Sequence, residues 1–308
     1  MLFAPYRWFV SVLVWLGLDG RGVVILAPYL WLFLFFLLPF LIVLRISFSE
    51  TQIAMPPYTP LVEMTDEGKL LLTFNLENYK LLWEDDLYWR SYVSSHKVRR
   101  HPLYLSHATG RLSIAYAMAR TPKRWRLALV MLVILPFWTS LLIRVYAWIG
   151  ILKKEGLLNL ALTSLGLINE PLTILNTNVA VYIGIVYSYL PFMVLPLYAN
   201  LEKMDMTLLE AAMDLGCRPL KAFWSITFRL SLPGVIAGCF LVFIPAVGEF
   251  VIPDLLGGSE TLMIGKTLWA EFFNNRDWPL SSAVAVVLLL LLVVPIVIFQ
   301  RAQLKNAS

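Results

Sequence analysis

The feature that most constrains this chain is a set of long apolar blocks with almost no charge. Residues 22–44 contain no Asp, Glu, Lys or Arg. A helix needs about 20 mostly apolar residues to cross the hydrocarbon core of a bilayer. Further blocks run over 127–152, interrupted by Arg144 and ended by Lys153, and over 179–198, 230–248 and 278–300. Charged residues make up 15% of the chain, against roughly 25% in soluble domains. Hydrophobic residues make up 59% and mean hydropathy is +0.73. No soluble fold of 308 residues buries that much apolar surface, so the chain reads as an all-α polytopic membrane protein. The same numbers exclude disordered, collagen-like, coiled-coil and disulfide-framed chains. Pro39, Pro136, Pro191, Pro245 and Pro295 fall inside the blocks. Membrane helices tolerate such prolines, which mark either kinks at a pathway or ordinary irregularity.

Five spans would put the termini on opposite sides, and the basic residues argue against it. With a sixth span between Arg90 and Arg120, the N-terminal side carries 12 Lys/Arg and the opposite side 7. The excess of positive charge on cytoplasmic loops then places both termini in the cytoplasm. The expected spans are 22–44, 91–119, 127–149, 179–198, 230–253 and 278–300. Residues 301–308 form a cytoplasmic tail. Residues 1–21 form an N-terminal segment in which 3–18, rich in Trp and Phe, read as an interfacial helix. The basic pI reflects this orientation and not nucleic acid. Cys217 and Cys239 suggest neither a metal site nor a disulfide.

The second span is atypical. His96, Lys97, Arg99, Arg100, His101, His107 and Arg111 crowd it, and a charge at a helix centre opposes insertion by roughly 2.5 to 3.5 kcal/mol. The three histidines are spaced by five and six residues and do not share a helical face.

The loop expected on the cytoplasmic side, 201–229, has its own logic. Thr207 and Glu210 have capping-box spacing. Gly216 suits a left-handed helix stop, and Pro219 suits the first turn of the next helix. Ala211 and Ala212 give the short helix a low surface that a partner can approach closely. A plain helical hairpin is the bland alternative. Glu210-Ala211-Ala212, three residues and then Gly216 resembles the EAA loop of permease subunits of ATP-binding-cassette (ABC) importers. Ile226 is in register with that motif. Phe228 and Arg229 stand where Leu and Pro are expected, and a Leu-Pro-Gly follows at Leu232-Pro233-Gly234.

The resemblance narrows to the polyamine importer permeases, closest to the putrescine type. The residues that carry it are Ala27-Pro28-Tyr29-Leu30-Trp31, Leu38-Pro39-Phe40, Ile143-Arg144-Val145-Tyr146-Ala147-Trp148, Pro191 to Pro196, Pro245 to Pro253 and Asn274 to Pro279. Residues 1–20 and about 99–113 stand outside it. Across the second gap the spacing is preserved, as a pair of compensating reading-frame slips would leave it.

The resemblance implies a six-helix permease core of the type I importer kind. It also implies a second homologous permease, two ATPase subunits that hold ATP and Mg, and a periplasmic polyamine-binding protein, all in a bacterial inner membrane. The EAA helix would dock into the ATPase. This chain is expected to bind no cofactor, metal or nucleic acid. Its one Gly-Lys-Thr, Gly265-Lys266-Thr267, has Glu260 where a phosphate loop needs its first glycine.

For the substrate path, Glu249 stands out. An intramembrane carboxylate is a functional-site candidate by default, and a polyamine is a polycation. Gly248-Glu249-Phe250 also resembles oxyanion importers, so a role in a gate, or a place at the water boundary, stays open. Asp254 lies close by in sequence. Tyr146, Trp148, Tyr187 and Tyr189 fit either cation–π contact or the interfacial aromatic belt. Arg144 calls for a carboxylate or headgroup partner. Gly234 and Gly238 suit close helix packing. The acidic loop 46–90 fits polycations, a binding protein or plain solvation. An intramembrane enzyme is the rival class, but no Ser/His/Asp or His-x-x-x-His spacing supports it.

Overall fold

The computed structural model describes residues 20–64, 70–100 and 102–307. The interfacial helix expected at 3–18 lies outside them. In chain order the elements are α1 (Gly20–Leu32), a π turn (Phe33–Leu37), α2 (Leu38–Ile46), β1 (Val62–Met64), β2 (Leu70–Leu72), α3 (Glu77–Glu84), α4 (Asp86–Arg100) and α5 (Pro102–Arg120). Next come α6 (Lys123–Ile134), a 3-10 turn (Leu135–Trp138), α7 (Leu141–Leu152), α8 (Leu157–Ser164), α9 (Asn178–Ser188) and α10 (Leu190–Glu202). Last are α11 (Thr207–Asp214), α12 (Pro219–Ala222), a π turn (Phe223–Thr227), α13 (Phe228–Val247), α14 (Val251–Leu256), α15 (Ile264–Trp269), a π turn (Ala270–Asn274) and α16 (Trp278–Ala307). The helical expectation holds apart from one small antiparallel hairpin, in which Val62 pairs with Leu72 and Met64 with Leu70.

Among the described residues, Val24–Ile46, Pro219–Val247 and Trp278–Val297 are each long and apolar enough to cross a membrane. Two bent pairs bring that number to as many as five. Two of the expected spans contain bends. Residues 127–149 are not one rod, because the α6 and α7 segments meet at 92°. Pro136 lies in the 3-10 turn and cannot donate to the helix ladder, and Thr139 and Ser140 are extended. Residues 179–198 bend by 46°. Pro191 in the first turn of α10 has no N–H to donate back into α9, and Tyr189 leaves the helix. The expected 230–253 span begins earlier and ends earlier: one helix runs from Pro219 to Val247 and stops at Gly248, and α14 is a separate piece.

Two compact units emerge, and each is described by itself. One takes residues up to Leu81 together with Glu271–Leu291. Its Val24–Ile46 helix is largely exposed. The segment after it is held by polar contacts: buried Ser47 shares a hydrogen bond with the Tyr79 hydroxyl at 2.6 Å, and Asn78 donates to the carbonyls of Ser47 and Ser49. The Asn274-to-Pro279 motif builds a helix start. Arg276 takes a positive φ of 55°, and Asp277 accepts from the Leu280 N–H at 3.0 Å and from the Thr51 hydroxyl at 2.7 Å.

The other unit takes Leu82–Ala270 and the C-terminal end from Leu292. It has two apolar cores. In one, Val145 and Leu152 of α7 meet Ala180, Val181 and Ile185 of α9 and Ile252 and Leu256 of α14. In the other, Leu112, Ala115, Met118 and Ala119 of α5 meet Met193, Val194, Leu197 and Leu201 of α10. The second core answers the problem of the atypical span. One face of the described part of α5 is buried against protein, and on it Arg111 donates to the Val186 carbonyl at 2.8 Å. The side chains at His96, Lys97, Arg99, Arg100, His101 and His107 lie outside the described residues.

Helices α10 and α13 approach closely. A Cβ at Gly238 would lie 2.6 Å from the Met193 sulfur, and one at Gly234 2.9 Å from the Asn200 Cβ and 3.2 Å from the Pro196 carbonyl. These are the two glycines whose spacing suits close packing. Gly238→Val is therefore expected to destabilise the purified chain by about 1 to 3 kcal/mol, the usual range for overpacking. Gly150→Ala, with nothing within 4 Å of the added carbon, serves as the neutral control. Equal thermal-unfolding midpoints for the two variants would refute the seam. For the window 99–113, resequencing the encoding DNA tests the slip reading. An intact frame in a transport-competent strain sets that reading aside.

Candidate functional site

The first site is the turn between α10 and α13. Helix α11 is preceded by Asp205, whose Oδ1 accepts the Thr207 N–H at 3.0 Å. The expected capping box does not form. Met206 already has helical backbone, so Thr207 lies inside the helix and makes no cap bond. Asp205, one residue before the N-cap Met206, supplies the side-chain acceptor for a first-turn N–H. The other end follows expectation. Gly216 has φ +81°, its N–H donates to the Met213 carbonyl, and the Cys217 N–H reaches the Ala212 carbonyl. That is a Schellman motif, and a residue with a Cβ is strained there. Pro219 then opens α12 after an extended Arg218.

The turn presents an apolar surface. Leu208, Met213, Leu215 and Leu220 are exposed, Leu215 by 89%, while Leu209 is buried. Thr207, Glu210, Ala211, Gly216 and Pro219 are exposed and Ala212 is half-buried. Helix ends anchor the turn from below. The Arg120 guanidinium touches the Met206 sulfur, and Arg126 pairs with Glu202 at 3.1 Å. Arg120 also lies over the Tyr116 ring, which packs edge-on against Phe223.

The second site is at the breaks in the membrane helices. Glu249 is 7% exposed. Its Oε1 accepts the N–H groups of Val251 at 3.0 Å and Ile252 at 3.4 Å, capping α14. Its Oε2 accepts the hydroxyl of Tyr189, the residue at the bend between α9 and α10. Gly265 packs against the backbone beside it, where a Cβ would meet the Gly248 and Glu249 carbonyls at 2.5 Å. Phe250 stacks on Trp269 with centroids 4.1 Å apart. A buried carboxylate with three donors is a satisfied group.

The remaining pathway candidates do not converge on one pocket. Trp148 and Tyr187 pack edge-to-face at 5.4 Å. Tyr146 is 60% exposed on α7. Asp254 faces Lys266 at 3.7 Å. Lys266 is a partner that sequence reasoning missed, having considered it only within Gly265-Lys266-Thr267. Arg144 lies over the Phe137 ring at 5.5 Å, and its Nε and Nη1 are buried with no hydrogen-bond partner among the described residues.

Comparison with known proteins fits this geometry. The family model described as "Binding-protein-dependent transport system inner membrane component" matches residues 112–306. The spermidine/putrescine transport system permease protein PotB of Haemophilus influenzae is 38% identical over 277 residues, covering 88% of this chain and 90% of that protein. PotB of Escherichia coli is 38% identical over 272 residues, covering 88% and 94%. The molybdenum transport system permease protein ModB of Mycobacterium bovis is 28% identical over 185 residues, covering 60% and 68%. Among solved structures, a bacterial ABC transporter involved in import of the acidic polysaccharide alginate shares the fold. Its TM-score is 0.67 at 15% identity, with 98% of this chain and 99% of that one covered. Such permeases are not enzymes and work with a binding protein and an ATPase. From its turn, its broken helices and these relatives, this chain belongs to the inner-membrane permease family of binding-protein-dependent ABC importers.

Proposed function

We propose that this chain forms half of the translocation path of an ATP-driven polyamine importer, with putrescine favoured over spermidine. The observation that carries the substrate class is the 38% identity to spermidine/putrescine permeases over about nine-tenths of the chain. The assembly contains this chain, a second homologous permease, two ATPase subunits that hold ATP and Mg, and a periplasmic polyamine-binding protein. Lipid or the second permease covers the exposed apolar Val24–Ile46 helix. Six spans place both termini in the cytoplasm, so the turn from Asp205 to Pro219 faces the ATPase.

Coupling runs through Thr207, Glu210, Ala211, Ala212, Gly216 and Pro219, and the exposed leucines beside them supply the apolar contact. The path draws on Glu249 and Tyr189, with Trp148, Tyr187, Tyr146 and Asp254 as further candidates. A second reading, the same machine for another small solute, is favoured by the likeness to ModB and by the Gly248-Glu249-Phe250 sequence.

Two experiments test this. With the whole set of subunits expressed, labelled putrescine should be taken up faster than spermidine at equal concentration. Uptake of neither, together with uptake of an oxyanion, supports the second reading. Gly216→Val should leave ATP hydrolysis running while uptake falls, because a β-branched residue cannot hold φ +81° without strain. Glu210→Lys should reduce the ATPase retained on the purified membrane subunits. Wild-type uptake and stoichiometry in both variants reject the coupling assignment.

A further inference from the structure

The two oxygens of Glu249 do different work. Oε1 is bound by two backbone N–H groups at the start of α14, and those donors cannot leave without unwinding the helix. Oε2 is bound by one neutral side chain, the Tyr189 phenol. Tyr189 stands where the backbone has already left the helix, with φ −102° and ψ 11° between α9 and α10. Its ring contacts Phe192 on the α10 side at 6.1 Å. The carboxylate is thus fixed in place by one oxygen and closed by an exchangeable donor on the other.

We propose that the Tyr189–Glu249 hydrogen bond is a latch, and that the alkylammonium group of the substrate opens it by taking the place of the phenol on Oε2. The proposal rests on the polyamine reading above and assigns that reading a site. A buried carboxylate cannot stand unpaired, so a closed path needs a resident donor, and Tyr189 is that donor. The carboxylate makes both bonds charge-assisted, but the ammonium adds a full opposite charge, and its attraction in a site shielded from water outweighs the dipole of the phenol. While the latch is shut, the phenol ties the break at Gly248 and the start of α14 to the bend of the neighbouring helix pair. When an ammonium replaces it, the tie is lost and the bend is free to move. Oε1 keeps α14 capped throughout, so the exchange leaves the fold intact. Tyr189 is in this sense a positioning residue that acts through Glu249.

The experiment uses the complete importer in proteoliposomes, with putrescine-loaded binding protein. It measures uptake of labelled putrescine and ATP hydrolysis with and without the binding protein. Glu249→Gln keeps a carbonyl to cap α14 and an amide that donates to the phenol oxygen, so the latch stays shut while the charge is gone. Uptake should fall about tenfold or more, the loss expected for one charge-assisted bond, and hydrolysis in the absence of binding protein should not rise. Tyr189→Phe keeps the charge and removes the resident donor. Hydrolysis without binding protein should rise severalfold, and putrescine moved per ATP should fall. A purely structural role predicts that both variants lose assembly or activity in the same direction. Like responses in the two variants, or wild-type uptake in Glu249→Gln, overturn the latch. Failure of the wild-type complex to take up any polyamine instead overturns the polyamine reading, which separates the two failures.

Discussion

Every break in a membrane helix frees backbone groups that lipid cannot satisfy, and the rest of this structure depends on how those groups are covered. At the 92° corner, the Thr139 hydroxyl donates to the Pro136 carbonyl at 2.8 Å. At the start of α9, the Thr177 hydroxyl donates to the Ile174 carbonyl and accepts from Ala180. Beyond α13, the Glu249 carboxylate covers two N–H groups. In each case a polar side chain from within the break does the work. The breaks can therefore lie inside the membrane unit without a water shell, and they concentrate polar chemistry where the chain changes direction.

Close packing sets the second constraint. Lipid tails are as apolar as leucine, so helices gain little by turning hydrophobic faces to each other, and backbone approach matters more. Gly234 and Gly238 bring α13 onto Met193, Pro196 and Asn200 of α10. Gly184 does the same for α9 against Ile252 and Leu256 of α14. The α10–α13 seam lies between the two sites, since α10 begins beside Tyr189 and leads to the exposed turn, while α13 follows that turn and ends beside Glu249.

What the sequence makes legible is mostly local. Gly216 and Pro219 specify their turn by backbone chemistry within four residues, and both stand where expected. Asp205 and Thr207 are both good capping residues, and the helical backbone of Met206, which sequence does not reveal, leaves the first-turn N–H to Asp205. Pro136 and Pro191 mark the bends, but the angles follow from packing partners distant in sequence. The second span gives a weak apolar signal because one face of its described part packs against α10, where small residues and a hydrogen-bonded arginine serve. The Tyr189–Glu249 and Asp254–Lys266 pairs join different elements and leave no periodic trace.

The continuous helix from Pro219 to Val247 has a mechanical meaning. Its 29 residues, at about 1.5 Å each, make a rod about 43 Å long. One end is the exposed turn and the other is the break that holds Glu249. A rod of hydrogen-bonded backbone bends readily only where its ladder is weakened. Here those places are the π turn at Phe223–Thr227, near the turn end, and the prolines at Pro233 and Pro245. Displacement or rotation applied at the turn is thus carried along the helix axis to the carboxylate, and compliance is confined to three known points. Stiffening the π turn would alter how much motion arrives at Glu249 without touching a residue at either end.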